Sequence, residues 1–89
     1  MPSVLIPAPY RAPTRNRAEV EVPAGSVLEC LDAVEALYPG FRELVVDEKG
    51  KVHRFVRLFI NEEQIDSEAL DLAVGEGDRL EVLAALAGG

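Results

Sequence analysis

One clearly helical segment lies between stretches that are typical of strands, and this arrangement constrains the fold more than any other feature. Ser26 is followed three residues later by Glu29, which is the spacing of a capping box at a helix start. Pro39-Gly40 predicts the end of the helix. Apolar side chains recur between them at helical spacing, at Val27, Leu31, Val34 and Tyr38. A lone amphipathic helix must bury its apolar side against another element, and in this chain that element is a sheet.

Short stretches on both sides of the helix supply the strands. Residues 3–6 and the alternating "AEVEV", joined by the Pro- and Arg-rich loop 7–17, predict a hairpin with a long tip. After the helix, "HRFVRLFIN" predicts one strand, and "RLEVLAAL" predicts another after the turn "GEGD". The segment "FRELVVDEKGKV" favours a helical turn followed by a loop. The segment "EEQIDSEALDLAV" favours a short strand and a helical turn.

The order of these elements, β-β-α-β-(short)-β, predicts the fold class. It is an α+β fold of the β-grasp (ubiquitin-like) kind, with one mixed sheet and the main helix packed on one face. The last strand pairs in the interior of the sheet. We expect residues 1–83 to form the domain and residues 84–89 to form a flexible C-terminal Gly-Gly tail.

Composition excludes several classes of function. The chain has 89 residues, which predicts one domain, and its net charge of −7 argues against a nucleic-acid partner. A basic protein partner fits this charge, although acidic surfaces also serve solubility alone. No apolar run is long enough to cross a membrane. Pro7 and Pro9 interrupt the N-terminal apolar segment, which is too short for a signal peptide, and Cys30 is the only cysteine. We expect a cytoplasmic protein.

Residues with catalytic potential do not form a recognisable site. His53 is the single histidine, and its position predicts a residue at the start of a strand. Cys30 is predicted to be a small core residue. "GEGD" lacks the lysine and the helix start of a phosphate-binding loop. No Cys/His cluster has the spacing of metal ligands. We therefore expect a protein that is not an enzyme and that has no cofactor or metal.

The end of the chain, Gly88-Gly89, is the feature with chemical potential. Glycine has no side chain, so two glycines can enter a narrow channel in another protein. A carboxylate is a poor electrophile until it is joined to AMP from ATP. The resulting acyl-adenylate can then accept sulfur or a lysine amine.

The strand after the helix carries large apolar groups on both faces. Val56, Leu58 and Ile60 point to one side. Phe55, Arg57 and Phe59 point to the other. Either this second face binds a partner, or a loop or the short helical turn covers it.

These pieces together resemble the MoaD/ThiS family of ubiquitin-like sulfur carrier proteins. The resemblance lies in "SVLECLDAVEALYPG", "VHRFVRLFINEEQID", "GEGDRLEVL" and the closing "LAGG". "GKVHRFVRLFINEEQI" and the long Pro-rich first loop are most similar to the CysO-type branch, which carries sulfur for cysteine biosynthesis. One departure is residues 84–87, Ala-Ala-Leu-Ala, where family tails often have a proline.

The resemblance implies a mechanism and its partners. An E1-like enzyme would adenylate Gly89, and sulfur transfer would convert it to a thiocarboxylate. A cysteine synthase would then use the sulfur to build a cysteine on Gly89, which a zinc-dependent peptidase releases. The partner face carried over from the family is the open side of the sheet, with Phe55, Arg57, Phe59 and Leu83.

Three alternatives remain open at this point. The first is the small subunit of molybdopterin synthase, whose tail enters the large subunit and donates sulfur to the molybdopterin precursor. The second is a protein modifier joined to lysines of its targets. The third is a non-covalent interaction module in which the Gly-Gly end is incidental.

Overall fold

The fold is a five-stranded mixed sheet covered on one face by a long helix, as the sequence predicts. The structure is a computed structural model, and it describes residues 1–85. The strands are β1 (Ser3–Leu5), β2 (Glu19–Glu21), β3 (Gly25–Ser26), β4 (Val56–Ile60), β5 (Glu63–Gln64), β6 (Ala73–Val74) and β7 (Arg79–Ala84). The α-helices are α1 (Val27–Leu37) and α2 (Arg42–Val45), and a 3-10 helix spans Ala8–Tyr10.

Strand order places the last strand at the centre of the main sheet. The order is β2-β1-β7-β4-β5, and β3 and β6 form a separate two-stranded sheet. β1 runs parallel to β7, with Val4 opposite Leu80. The pairs β1–β2, β4–β7 and β4–β5 are antiparallel. The predicted hairpin of the first two strands and the interior position of the last strand are thus confirmed.

The capping box predicted at the start of α1 is present. The backbone N–H of Glu29 donates to Ser26 Oγ at 3.0 Å, and the Ser26 N–H donates to Glu29 Oε1 at 2.9 Å. The helix ends at Leu37, and Gly40 then adopts a φ of +105°, which glycine tolerates best. The carboxylate of Glu35 accepts the N–H groups of Gly40 and Arg42, which holds the chain as it leaves the helix.

The core lies between α1 and the sheet. Fully buried side chains from the helix meet alternate side chains from the strands, and these include Val27, Cys30, Leu31, Val34, Val4, Val56, Leu58, Leu80 and Val82. Cys30, which the sequence predicts to be a small core residue, is fully buried.

Two segments differ from the sequence-based reading. Gly25–Ser26, which reads only as a helix start, also forms β3 and pairs with β6. The segment after β5 contributes this second short strand, and residues 66–72 before it form hydrogen-bonded turns. Phe41 opens "FRELVV" and is a fully buried core residue ahead of the short α2. Strands of two residues carry no periodic pattern, so their pairing depends on contacts distant in the sequence.

A carboxylate ties the turn "GEGD" to the β4–β5 turn. Asp78 accepts the N–H of Gly75 through Oδ2 at 2.8 Å and the Asn61 amide through Oδ1 at 2.9 Å. Asn61 in turn accepts the N–H of Arg79. The Asn61 amide, and then the Gly75 N–H, favour the charged form and lower the pKa of Asp78. This network fixes the start of β7 against the end of β4.

Replacing the helix cap tests the local origin of α1. We expect Ser26→Ala to lower the free energy of unfolding by about 1 kcal/mol, because the Glu29 N–H loses its side-chain acceptor. Urea unfolding followed by circular dichroism measures this change. Ser67→Ala, in an exposed loop, is the matched control. Equal stability of the two variants would contradict a capping role for Ser26.

The Asp78 network predicts a pH dependence of stability. Because the folded-state pKa of Asp78 is lowered, its stabilisation is complete above the unfolded-state value of about 3.9 and is lost as pH falls through the folded-state pKa. The difference in unfolding free energy between wild type and Asp78→Asn should therefore be constant from about pH 5 to 7 and shrink below about pH 4. Asp71→Asn, at an exposed position, controls for a lost surface charge. A difference that stays constant to pH 2.5 would refute this role.

Candidate functional site

The last described residues, 84 and 85, lie at the end of the central strand of the sheet. At the end of β7, Ala84 lies opposite Val56, and the Ala85 N–H donates to the Phe55 carbonyl at 2.6 Å. Ala84, which the sequence-based boundary assigned to the tail, thus belongs to the strand. The predicted carrier residues Gly88 and Gly89 lie outside the described residues, so the tail stays a prediction. The position from which it departs is determined by β7.

The face of the sheet opposite α1 carries the predicted partner residues. Arg57 lies opposite Leu83 across the β4–β7 ladder, and Phe59 lies opposite Glu81. Leu83 is 40% exposed and Phe55 is 39% exposed, whereas Phe59 is half-buried. The sheet register therefore brings all four predicted residues to one face, beside the departing chain.

Two guanidinium groups are held at this end of the face. The Arg54 guanidinium lies 4.8 Å from the centroid of the Phe55 ring, a cation–π arrangement. Arg57 Nη1 donates to the carbonyls of Arg54 and Val56 at 2.8 and 3.1 Å. These contacts restrict both side chains before any partner arrives, so less conformational entropy is lost on binding. The root of the tail thus combines exposed apolar groups with fixed positive charge.

Sequence reasoning missed two residues of this face. Leu5 is half-buried beside Glu81 across the β1–β7 ladder, and Arg54 covers Phe55. In the sequence, Leu5 lies within the apolar run of residues 3–6, which was predicted only to form a strand. Because Val4 and Ile6 are buried, alternation along β1 places Leu5 on the other side. The two-residue period of a strand could therefore have predicted the outward position of Leu5, although β1 has only three residues.

The remaining titratable candidates have structural surroundings. Burial, and then the charge of Glu29, raises the pKa of the Cys30 thiol, which favours the unreactive protonated form. His53 is exposed, and its Nε2 lies 2.8 Å from the Glu43 carbonyl oxygen. Within residues 1–85, no group of three or more His, Cys, Asp or Glu side chains is arranged to hold a metal ion.

None of the helices that the structure describes is long and apolar enough to span a bilayer.

Known proteins resemble this chain over nearly its whole length. The sequence model described as the ThiS family matches residues 4–89. Sulfur carrier protein CysO of Mycobacterium tuberculosis is 33% identical over 98% of this chain and 97% of its own length.

Two solved structures are similar in fold as well as in sequence. A chain of the Amycolatopsis orientalis BexX/CysO complex is 37% identical with a TM-score of 0.90, and the match covers 100% of both chains. The crystal structure of Mycobacterium tuberculosis CysO, described as an antigen, is 30% identical with a TM-score of 0.87. That match covers 97% of this chain and 100% of the other.

Proposed function

The chain belongs to the ThiS family, and on that basis we propose that it is a sulfur carrier for cysteine biosynthesis in which Gly89 bears the sulfur. The predicted family and its CysO-type branch are confirmed. The protein is a small carrier, a substrate of other enzymes and not itself a catalyst. The relatives do not favour molybdopterin synthase or protein modification as its function.

The observation that carries this proposal is the central position of β7. β1 pairs with the first half of β7, up to Glu81, and β4 pairs with the strand up to its last residue, Ala84. Four residues remain after Ala85, which at about 3.5 Å per residue can reach at most about 14 Å. This reach brings the Gly89 carboxylate to a site inside a partner only if the partner contacts the surface around the tail root. The open face described above is that surface.

The chemistry proceeds in two steps on the Gly89 carboxylate. Its oxygen attacks the α-phosphorus of ATP, which forms an acyl-adenylate and releases pyrophosphate. Hydrosulfide, released by a sulfide donor, then attacks the acyl carbon, displaces AMP and loses its proton, and the product is a thiocarboxylate. The partner supplies the nucleotide site, and we place this chemistry in the cytoplasm, where ATP is available.

Partners follow from this chemistry. An E1-like enzyme adenylates the tail, and a cysteine synthase accepts the sulfur. The relative that is solved in the BexX/CysO complex supports a protein partner for this chain as well. The exposed Leu83 and Phe55 and the oriented Arg57 are the contacts that we propose for these partners.

Intact mass spectrometry tests the carrier function. Incubation with an E1-like enzyme of the same organism, ATP and a sulfide donor should raise the mass by the difference between one sulfur and one oxygen atom. The variant that lacks Gly89 should remain unchanged, because it ends one residue short of the catalytic position. If the wild-type mass does not change while the same enzyme thiocarboxylates its own established carrier, the proposal is wrong.

Substitutions on the open face test the partner surface. We expect Leu83→Ser and Phe55→Ser each to raise the KM for the carrier about tenfold in adenylation assays, because exposed apolar anchors dominate such interfaces. Leu72→Ser, at a residue that is 43% exposed away from this face, is the matched control. Urea unfolding verifies that all three variants fold. Equal KM values for the three variants would place the docking surface elsewhere.

A further inference from the structure

On its free side, β2 exposes backbone N–H and C=O groups that can form further hydrogen bonds. β2 is an edge of the main sheet, and its only partner among residues 1–85 is β1. The Ile6 N–H donates to the Ala18 carbonyl and the Val22 N–H to the Pro2 carbonyl. In an antiparallel ladder, hydrogen-bonded pairs alternate with non-hydrogen-bonded pairs. The N–H and C=O groups of Glu19 and Glu21 therefore point away from β1, toward the outside of the sheet.

A groove runs along this free edge. It lies between β2 and the C-terminal end of α1, and it is lined by Arg17, Glu19, Val20, Glu21, Leu37 and Tyr38. Leu37, the last residue of α1, is 60% exposed. The groove thus combines unpaired backbone groups along one wall with exposed apolar surface on the other.

Charge selects the occupant of this groove. Glu19 and Glu21 are both exposed and occupy the outward positions of β2, on a chain of net charge −7. A second copy paired along β2 would bring these glutamates against each other, and like charges on facing strands are destabilising. Arg17 is the one basic residue that lines the groove, and it lies before the strand begins. The charge of β2 therefore disfavours pairing with a second copy of this chain and favours pairing with a basic strand.

We propose that β2 binds an extended basic segment of another protein as an additional strand of the sheet. Backbone groups of that segment pair with those of Glu19 and Glu21, as in β-strand addition. Its Lys or Arg side chains lie over the two glutamates. Its alternate apolar side chains enter the groove against Leu37 and Tyr38.

This interaction is independent of sulfur transfer. Two strands, β1 and β7, separate the β2 edge from β4, which carries Arg57 and Phe59 near the tail root. A partner that contacts Phe55 and Leu83 around the tail root leaves the outward backbone groups of β2 to a second protein. The variant that lacks Gly89 should bind the basic segment as well as the full chain does.

A defined peptide tests the proposal. The probe is the blocked heptapeptide Lys-Val-Lys-Val-Lys-Val-Lys, and its comparison is a peptide of the same composition, Lys-Lys-Val-Val-Val-Lys-Lys, without the alternation. NMR titration of the full chain should show saturable shifts and slowed hydrogen exchange at the Glu19 and Glu21 amides with the alternating peptide. Equal binding of both peptides, or shifts spread over the acidic surface, would mean non-specific attraction and would overturn the proposal.

Three variants separate the contributions of charge, backbone pairing and apolar contact to peptide binding. The double variant Glu19→Lys with Glu21→Lys should weaken binding of the alternating peptide about tenfold. Glu68→Lys with Asp71→Lys makes the same charge change in an exposed loop and should have little effect. Glu21→Pro removes one outward N–H at an edge strand and should weaken binding about fivefold. Leu37→Ser should weaken binding more than the control Leu72→Ser.

Self-association is the remaining outcome that would overturn the proposal. Sedimentation velocity of the full chain without peptide should give a monomer at all concentrations used in the titration. A dimer that dissociates in Glu19→Lys with Glu21→Lys would show that a second copy occupies the edge. In that case thiocarboxylate formation at Gly89 would still stand, because its assay does not depend on β2.

Discussion

The parallel pairing of β1 with β7 is the constraint on which the rest of the structure depends. Ser3, Val4 and Leu5 lie opposite Arg79, Leu80 and Glu81, so the first strand of the chain borders the last one. Parallel neighbours need a long crossover, and here the crossover includes α1, which covers one face of the sheet. β4 then closes the other side of β7. Ala85, the last residue that the structure describes, consequently follows the central strand of the sheet.

Alternation along these strands divides the domain into a structural and a functional half. Val4, Leu80 and Val82 face α1 and are buried. Their neighbours in sequence lie on the open face, where Leu83 and Phe55 stay exposed and Arg54 and Arg57 are fixed by local contacts. We propose that this open face supplies affinity for partners, because the Gly-Gly end contributes little affinity of its own.

Local signals predicted a large part of this arrangement. The capping box of Ser26 and Glu29, the helix stop at Pro39-Gly40 and the alternation of "VRLFI" are properties of neighbouring residues, and each appears as expected. The two-residue strands β3 and β6, the burial of Phe41 and the outward position of Leu5 were missed. Each of these depends on a partner far away in the chain, so no short window of sequence contains its cause.

The sequence by itself determined the helix, the strand-forming segments, the family and the glycine end, because hydrophobic period, capping and turn residues act over a few positions. Tertiary structure alone decided which side chains share the open face at the tail root and which strand edge has no partner among residues 1–85. Arg57 lies opposite Leu83 only because of the register between β4 and β7. Glu19 and Glu21 lie on the edge of the sheet only because of the register between β1 and β2. Such registers are set by burying one common core beneath α1, a property of the whole chain that no single segment specifies.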